Sequence, residues 1–174
     1  MMAAVGIVDY GMGNLRSVEK ALGKVGVKAA ICRNAVECER YEGLVLPGVG
    51  AFADAVKTLR KLEMDRAIRE HISAGRNLLG ICLGMQLLFE FSEEHGYNRG
   101  LGIVPGGCRK LPVGVKVPHV GWNAMAIEKP DALVEGISSG QRFYFVHSYY
   151  CAPDDAAWTI GTSEHGIEFT CAVG

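Results

Sequence analysis

The chain has 174 residues, 49% of them hydrophobic, with a formal net charge of -1 at pH 7. That length allows one soluble globular domain with a sizeable core, and the near-neutral balance argues against an electrostatic footprint for nucleic acid. No apolar run reaches the length of a membrane span, and the amino terminus has no charged region followed by a small-residue cleavage site, so neither membrane nor export is expected.

Val5-Gly-Ile-Val-Asp9 opens the chain as a short apolar strand. Tyr10-Gly-Met-Gly-Asn14 is a loop, after which Leu15, Val18, Leu22 and Val25 recur at helical spacing, with Asn14 as a candidate N-cap. The Gly11-Met-Gly13 pair invites a dinucleotide reading, but Arg16 stands where the third glycine belongs. Lys28–Cys32 is a second strand, and Arg33–Glu42 is a charged connection. Gly43–Pro47 is a third strand, followed by the turn Pro47-Gly-Val-Gly50. A helical pattern runs from Phe52 through Val56 and Leu59, and a further helix of about Asp65–Ser73 stops at Gly75.

The stretch Asn77–Glu90 reads as a buried strand, a sharp turn and a helix, with Cys82 at the apex of Gly80-Ile-Cys-Leu-Gly84. Gly-x-Cys-x-Gly is the thiol counterpart of the nucleophile elbow. Its glycines suit a turn too tight for side chains, and the start of a helix favours a thiolate. The Leu83 N–H beside it can hold a developing oxyanion. A plainer role stays open on these residues alone, that of a small buried cysteine packed between strand and helix. Strand–helix alternation up to this point predicts a mostly parallel sheet covered on both faces. Ligands on such sheets bind at the carboxyl ends of strands, where Pro47–Gly50 and Cys82 both lie.

After Gly96 the texture changes to short segments broken by glycine and proline: 100–105, 113–117, 125–127, 143–150, 158–161 and 168–173. These predict mainly antiparallel strands. The six cysteines (Cys32, Cys38, Cys82, Cys108, Cys151 and Cys171) lack Cys-x-x-Cys spacing and read as reduced thiols in a cytoplasmic protein. No His, Cys, Asp and Glu residues show metal-ligand spacing, so neither a metal nor another cofactor is expected.

Gly80-Ile-Cys-Leu-Gly-Met-Gln86 resembles the nucleophile motif of class I (triad) glutamine amidotransferases. Leu46-Pro-Gly-Val-Gly50, Pro118-His-Val-Gly-Trp-Asn123 and Tyr144-Phe-Val-His-Ser-Tyr149 are similar, within that class, to the glutaminase subunits of imidazole glycerol phosphate synthase. The likeness runs from residue 5 to the end of the chain. It implies an α/β, three-layer class I glutamine amidotransferase-like fold: a mostly parallel central sheet flanked by helices, a nucleophile elbow, and antiparallel strands in the C-terminal half.

The resemblance implies that the Cys82 thiolate attacks the side-chain amide of L-glutamine, releasing ammonia and leaving a thioester that water hydrolyses. The Pro47–Gly50 stretch is similar to the family's oxyanion strand, so Gly48 and Val49 join Leu83 as oxyanion candidates. Gly50, Gln86, Glu94, His147, Ser148 and Tyr149 match positions that form the glutamine pocket. Gln86 also reads as an ordinary helical polar residue, and Glu94 as part of a solvated run. His147 is a tempting base, but it stands outside the family's catalytic motif and reads rather as packing or pocket-shaping. His119 reads as structural or interfacial.

In the family, ammonia passes to a (β/α)8 cyclase subunit, and Asn14, Arg16, Trp122, Asn123 and Tyr144 are placed to meet such a partner. Core packing is the alternative for Trp122. The family's general base is a histidine in a Gln-x-His-Pro-Glu stretch, which these 174 residues do not contain. The resemblance therefore implies a single domain over residues 1–174 without the family's closing strand and helix, and a chain whose own activity is in question.

Overall fold

The computed structural model of the protein describes residues 5–174, so the first four residues of the expected domain lie outside it. Strands β1 (Val5–Val8), β2 (Ala29–Cys32), β3 (Gly43–Gly48) and β4 (Asn77–Cys82) form a wholly parallel sheet in the order β2-β1-β3-β4. Helices α1 (Leu15–Lys24), α2 (Ala35–Cys38), α3 (Phe52–Lys61) and α4 (Met64–Ser73) connect them. Asn14 caps α1 as expected, its side-chain oxygen accepting the Ser17 N–H at 3.2 Å. Central strand β3 is buried from Leu44 to Gly48, which is why its sequence is a continuous apolar run rather than an alternation.

Helix α3 buries Phe52, Ala55, Val56 and Leu59, and α4 buries Met64, Ala67, Ile68 and His71, each set at the i, i+3, i+4, i+7 spacing of one helical stripe. Burying each of the larger apolar side chains contributes roughly 1.5–3 kcal/mol. Gly75, with φ +74°, ends the second of these helices.

Two expectations fail around the elbow. Strand β4 is not buried: it pairs only with β3 among the described residues, and Leu79 and Ile81 on one of its faces are each more than a third exposed. The helix after the elbow, α5, covers only Leu83–Gln86, and the chain returns to a strand, β5 (Phe89–Ser92), where a helix to Glu90 was expected. Phe89 and Ser92 are buried while Glu90 is exposed. Aromatic residues at Phe89 and Phe91 favour a pleated strand that can pair on both sides, and that pairing overrides helix propensity here.

The remaining strands are β6 (Asn98–Arg99), β7 (Val104–Lys110), β8 (His119–Ala124), β9 (Ala126–Ile127), β10 (Arg142–His147), β11 (Tyr149–Pro153), β12 (Thr159–Glu164) and β13 (Glu168–Val173). Seven strands form a second sheet in the order β6-β5-β7-β11-β13-β12-β9, antiparallel except for β5 with β7. Strands β8 and β10 make a separate antiparallel ribbon. Val113–Val117, expected as a strand, is a turn: Val113 is fully exposed and Gly114 takes φ +98°. The strand expected at 100–105 begins only at Val104.

One apolar core joins the two sheets. Val8, Leu44, Leu46, Phe52, Leu59 and Ile68 from the first half pack in the same cluster as Phe89, Leu101, Val104, Cys108 and Cys151 from the second. Among the described residues no helix is long and apolar enough to cross a membrane.

Candidate active site

Parallel pairing of β3 with β4 sets Gly48 directly beside Cys82. The last residues of two adjacent strands therefore present the Pro47–Gly50 turn and the cysteine at one edge. Cys82 has φ 55° and ψ −115°, a left-handed backbone that costs a non-glycine residue roughly 1–3 kcal/mol. The flanking glycines show what holds it there. A Cβ on Gly84 would collide with the Leu46 carbonyl oxygen, and one on Gly80 would lie 2.8 Å from both the Gly84 oxygen and the Met85 nitrogen. Strand and turn touch backbone to backbone, and the cysteine is turned outward.

The Cys82 residue is exposed, so the reading of a buried packing cysteine does not hold. The walls around the sulfur nevertheless displace enough water to push its pKa up, with the Leu83 N–H acting in the opposite direction. This corrects the expectation that the helix start holds a thiolate: α5 is a single turn, too short for a substantial dipole. At neutral pH the sulfur rests as a thiol and needs a base to become nucleophilic.

Across from it, Val49 is 57% exposed and Gly50 has φ +103°, so the turn leaves the buried strand within two residues. The Glu94 carboxylate accepts the Phe52 N–H at 2.6 Å and caps the start of α3, which has no side-chain cap from Ala51. That places Glu94 immediately behind the turn, with one oxygen committed to the backbone.

Gln86 donates from Nε2 to the Tyr149 carbonyl oxygen at 3.1 Å, tying the elbow helix to β11. His147 Nδ1 lies 3.0 Å from the same oxygen. A carbonyl can only accept, so that nitrogen carries the proton and His147 Nε2 is left as an acceptor. His119 Nδ1, 2.9 Å away, is its donor. Both ring nitrogens of His147 are thereby engaged, and it is not placed as a free base for Cys82. Ser148 lies between β10 and β11, its carbonyl oxygen accepting the Leu111 N–H at 3.0 Å.

The sequence did not signal two features of this neighbourhood. One is the imidazole cluster: His119 stacks on His165 with ring centroids 4.1 Å apart, and Phe145 and Phe169 pack around it. Burial, first of all, lowers the pKa of both His119 and His147. The other is Tyr10, which is buried and donates its hydroxyl proton to the Pro47 carbonyl. The only available signal was a tyrosine in a loop after a parallel strand.

The five residues assigned to a partner face divide. Trp122 is 65% and Tyr144 56% exposed, and they are direct cross-strand partners whose rings meet edge-on at 5.7 Å. Core packing of Trp122 is excluded by that exposure. Arg16 is exposed. Asn14 is engaged as a helix cap, and Asn123 donates to the Glu164 carbonyl oxygen.

A family profile described as glutamine amidotransferase class-I matches residues 6–173. The chain is similar to the imidazole glycerol phosphate synthase subunit HisH of Desulfitobacterium hafniense, 48% identical over 98% of this chain and 81% of that protein. The HisH subunit of Caldanaerobacter subterraneus subsp. tengcongensis is 50% identical over 97% of this chain and 83% of its own length. Among solved structures, a crystal structure of a glutamine amidotransferase matches 94% of this chain and 85% of its own, with a TM-score of 0.72 at 17% identity. PurLQS from Thermotoga maritima matches 99% of this chain and 78% of its own, with a TM-score of 0.70 at 17% identity. At such low identity the solved structures bear on the fold, and it is the fold expected from the motifs. The chain belongs to the class I glutamine amidotransferases and, within them, to the HisH subunits of imidazole glycerol phosphate synthase, and it is an enzyme subunit.

Proposed function

We propose that the protein hydrolyses L-glutamine to glutamate and ammonia through Cys82, in the cytoplasm. It hands the ammonia to a (β/α)8 cyclase subunit that makes imidazole glycerol phosphate for histidine biosynthesis. The observation that carries this reading is the register that sets a strained, outward-facing cysteine beside the Pro47–Gly50 turn. Once a base has taken the thiol proton, the sulfur adds to the amide carbon and the carbonyl electron pair moves to oxygen. The Leu83 N–H, with a peptide N–H of the Gly48–Val49 turn, stabilises that oxyanion. Collapse breaks the C–N bond, the nitrogen leaves as ammonia after taking up a proton, and a γ-glutamyl thioester remains on Cys82. Water then hydrolyses the thioester and regenerates the thiol.

Gly50, Gln86, Glu94, His147, Ser148 and Tyr149 shape the glutamine pocket in this reading. Gln86 and His147 do so through the Tyr149 carbonyl they share. The base is not His147, whose ring nitrogens are both engaged. The family's Gln-x-His-Pro-Glu histidine, which these residues do not include, is the group this chemistry calls for. Trp122 and Tyr144 anchor the cyclase, and the exposed Arg16 offers it a charged contact.

A glutamine-mimicking diazoketone, followed by peptide mapping, tests the nucleophile. Label is expected on Cys82, with a rate that climbs as pH rises past the ordinary thiol range, and Cys82→Ser should lose it. Cys32, Cys108 and Cys151 are buried, and burial pushes the half-buried Cys171 thiol up to about 12. Label found mainly on any of these would overturn the assignment.

A further inference from the structure

Tyr10 follows the end of β1 and is 2% exposed. The register of β1 with β3 stops at Ile7 with Val45, two residues short of Pro47. Beyond that point Tyr10 takes over: its hydroxyl donates to the Pro47 carbonyl oxygen at 2.9 Å across 37 residues of sequence. Burial, together with the nearby Cys82, pushes the phenol pKa far above its usual value, so the hydroxyl stays a donor at every working pH.

Gly48 lies directly against this hydroxyl. A Cβ there would stand 2.5 Å from Tyr10 Oη, 2.9 Å from Leu83 Cβ and 3.1 Å from the Gly84 nitrogen. Tyrosine hydroxyl, glycine and the first residues after Cys82 thus form one close-packed layer with no room for a side chain. Immediately past it, Val49 is open to solvent and Gly50 takes a left-handed φ. The backbone goes from clamped to free within two residues: β4 pairs with Pro47 and Gly48 on one side, and on the side where β1 has ended the hold is a single side chain from a distant loop.

We propose that Tyr10 is a positioning residue for the oxyanion turn, holding the Pro47–Gly48 peptide so that the Val49 N–H swings from a fixed hinge beside Cys82. The inference rests on the reading of Cys82 as nucleophile and of this turn as its oxyanion strand. Tyr10 touches no reacting atom in it. Without the hydroxyl, the Pro47 carbonyl loses its anchor, the hinge gains freedom, and the N–H meets the tetrahedral oxygen in a smaller share of molecules.

Two electrophiles separate this role from mere packing. A glutamine analogue bearing an aldehyde in place of the amide adds reversibly to a thiol. The S–C bond forms, the carbonyl electron pair goes to oxygen, and the thiol proton ends on that oxygen or in water, so capture depends on the oxyanion site. Iodoacetamide alkylates the same sulfur with loss of iodide and creates no oxyanion. Tyr10→Phe keeps the ring and deletes only the hydroxyl. With the cyclase present, its aldehyde affinity should fall about tenfold, less than the loss of a direct oxyanion donor, while its alkylation rate stays within about twofold and its melting midpoint changes little.

Unchanged aldehyde affinity would overturn the inference, as would a parallel fall in affinity, alkylation and melting, which marks packing alone. If Cys82→Ser captures the aldehyde as well as the wild type, the nucleophile reading itself is what fails. If the wild type captures none, the oxyanion reading fails and the role of Tyr10 with it.

Discussion

At the elbow the backbone is held and the side chain is free, while on the β8–β10 ribbon the side chains hold one another. Cys82 sits in a strained conformation enforced by two glycines against backbone atoms, and its sulfur has no side-chain hydrogen-bond partner among the described residues. His119, His147 and His165 lie in ordinary strand or turn positions, and each has a ring nitrogen committed to a carbonyl oxygen or to another imidazole. In the proposed reading, the thiol that reacts is kept unsatisfied by a backbone that cannot relax. The imidazoles are hydrogen-bonded instead, with His119 buried and His147 and His165 partly so.

The comparison breaks first at its glycines. Gly84→Ala drives a methyl group into the Leu46 carbonyl oxygen and should cost about 3 kcal/mol, as overpacking does in a rigid core. Gly121 on the ribbon has φ +150° but no described atom within 4 Å of where an alanine methyl group would stand, so Gly121→Ala should cost only about 1 kcal/mol of backbone strain. Denaturant melts of the two variants decide it. Equal losses would mean that crowding is not what holds the elbow.

Much of this site was legible because its constraints are local. Gly80, Cys82 and Gly84 stand within five residues, and the apolar spacing of Phe52, Val56 and Leu59 marks α3 directly. The parallel sheet followed from alternation of strands and helices in the first half. What escaped was set by distant partners. Glu94 reads as a pocket residue by resemblance, yet it is also the missing cap of α3, 42 residues earlier. Nothing in the loop at Tyr10 announces that its hydroxyl reaches Pro47. The helix after the elbow stopped at Gln86 because β7 and β6 offer partners to Phe89–Ser92, and the 113–117 segment lacked any such partner strand. Helix propensity and alternation describe a segment, whereas strand pairing describes its neighbours.

The ribbon can also be tested from its outer face. Val120, Trp122, Tyr144 and Val146 are all more than half exposed on adjacent strands, and Trp122 and Tyr144 touch mainly each other there. Trp122→Ala or Tyr144→Ala should weaken association with the cyclase by about 2 kcal/mol, the usual cost of truncating an aromatic anchor. Melting should change by far less. Titration with the cyclase beside thermal melts checks this, and intact affinity with a collapsed melting point would make both rings structural.

The smallest effect is the most specific to the inner face. His119 and His147 are held below the usual histidine value, burial being the largest cause for each and the neighbouring His165 adding to it. In the unfolded chain they titrate near ~6.5. A native value below the unfolded one means that the unfolded chain binds more protons as pH falls past that point. The stability held by the neutral cluster is therefore complete above about pH 6.5 and is lost progressively as pH falls toward the depressed native values. The hydrogen bonds give the same sign, because a proton on His147 Nε2 removes the acceptor for His119 and turns two N–H groups toward each other. Melts between about pH 7.5 and 5.5 should show falling stability, with a shallower slope in His119→Gln and in His147→Gln. Carboxylates elsewhere contribute equally to wild type and variants over that range, so the difference in slope isolates the imidazoles. An unaltered slope in both variants would mean that the cluster is not neutral by construction, and the contrast between a satisfied ribbon and an unsatisfied elbow would lose its electrostatic half.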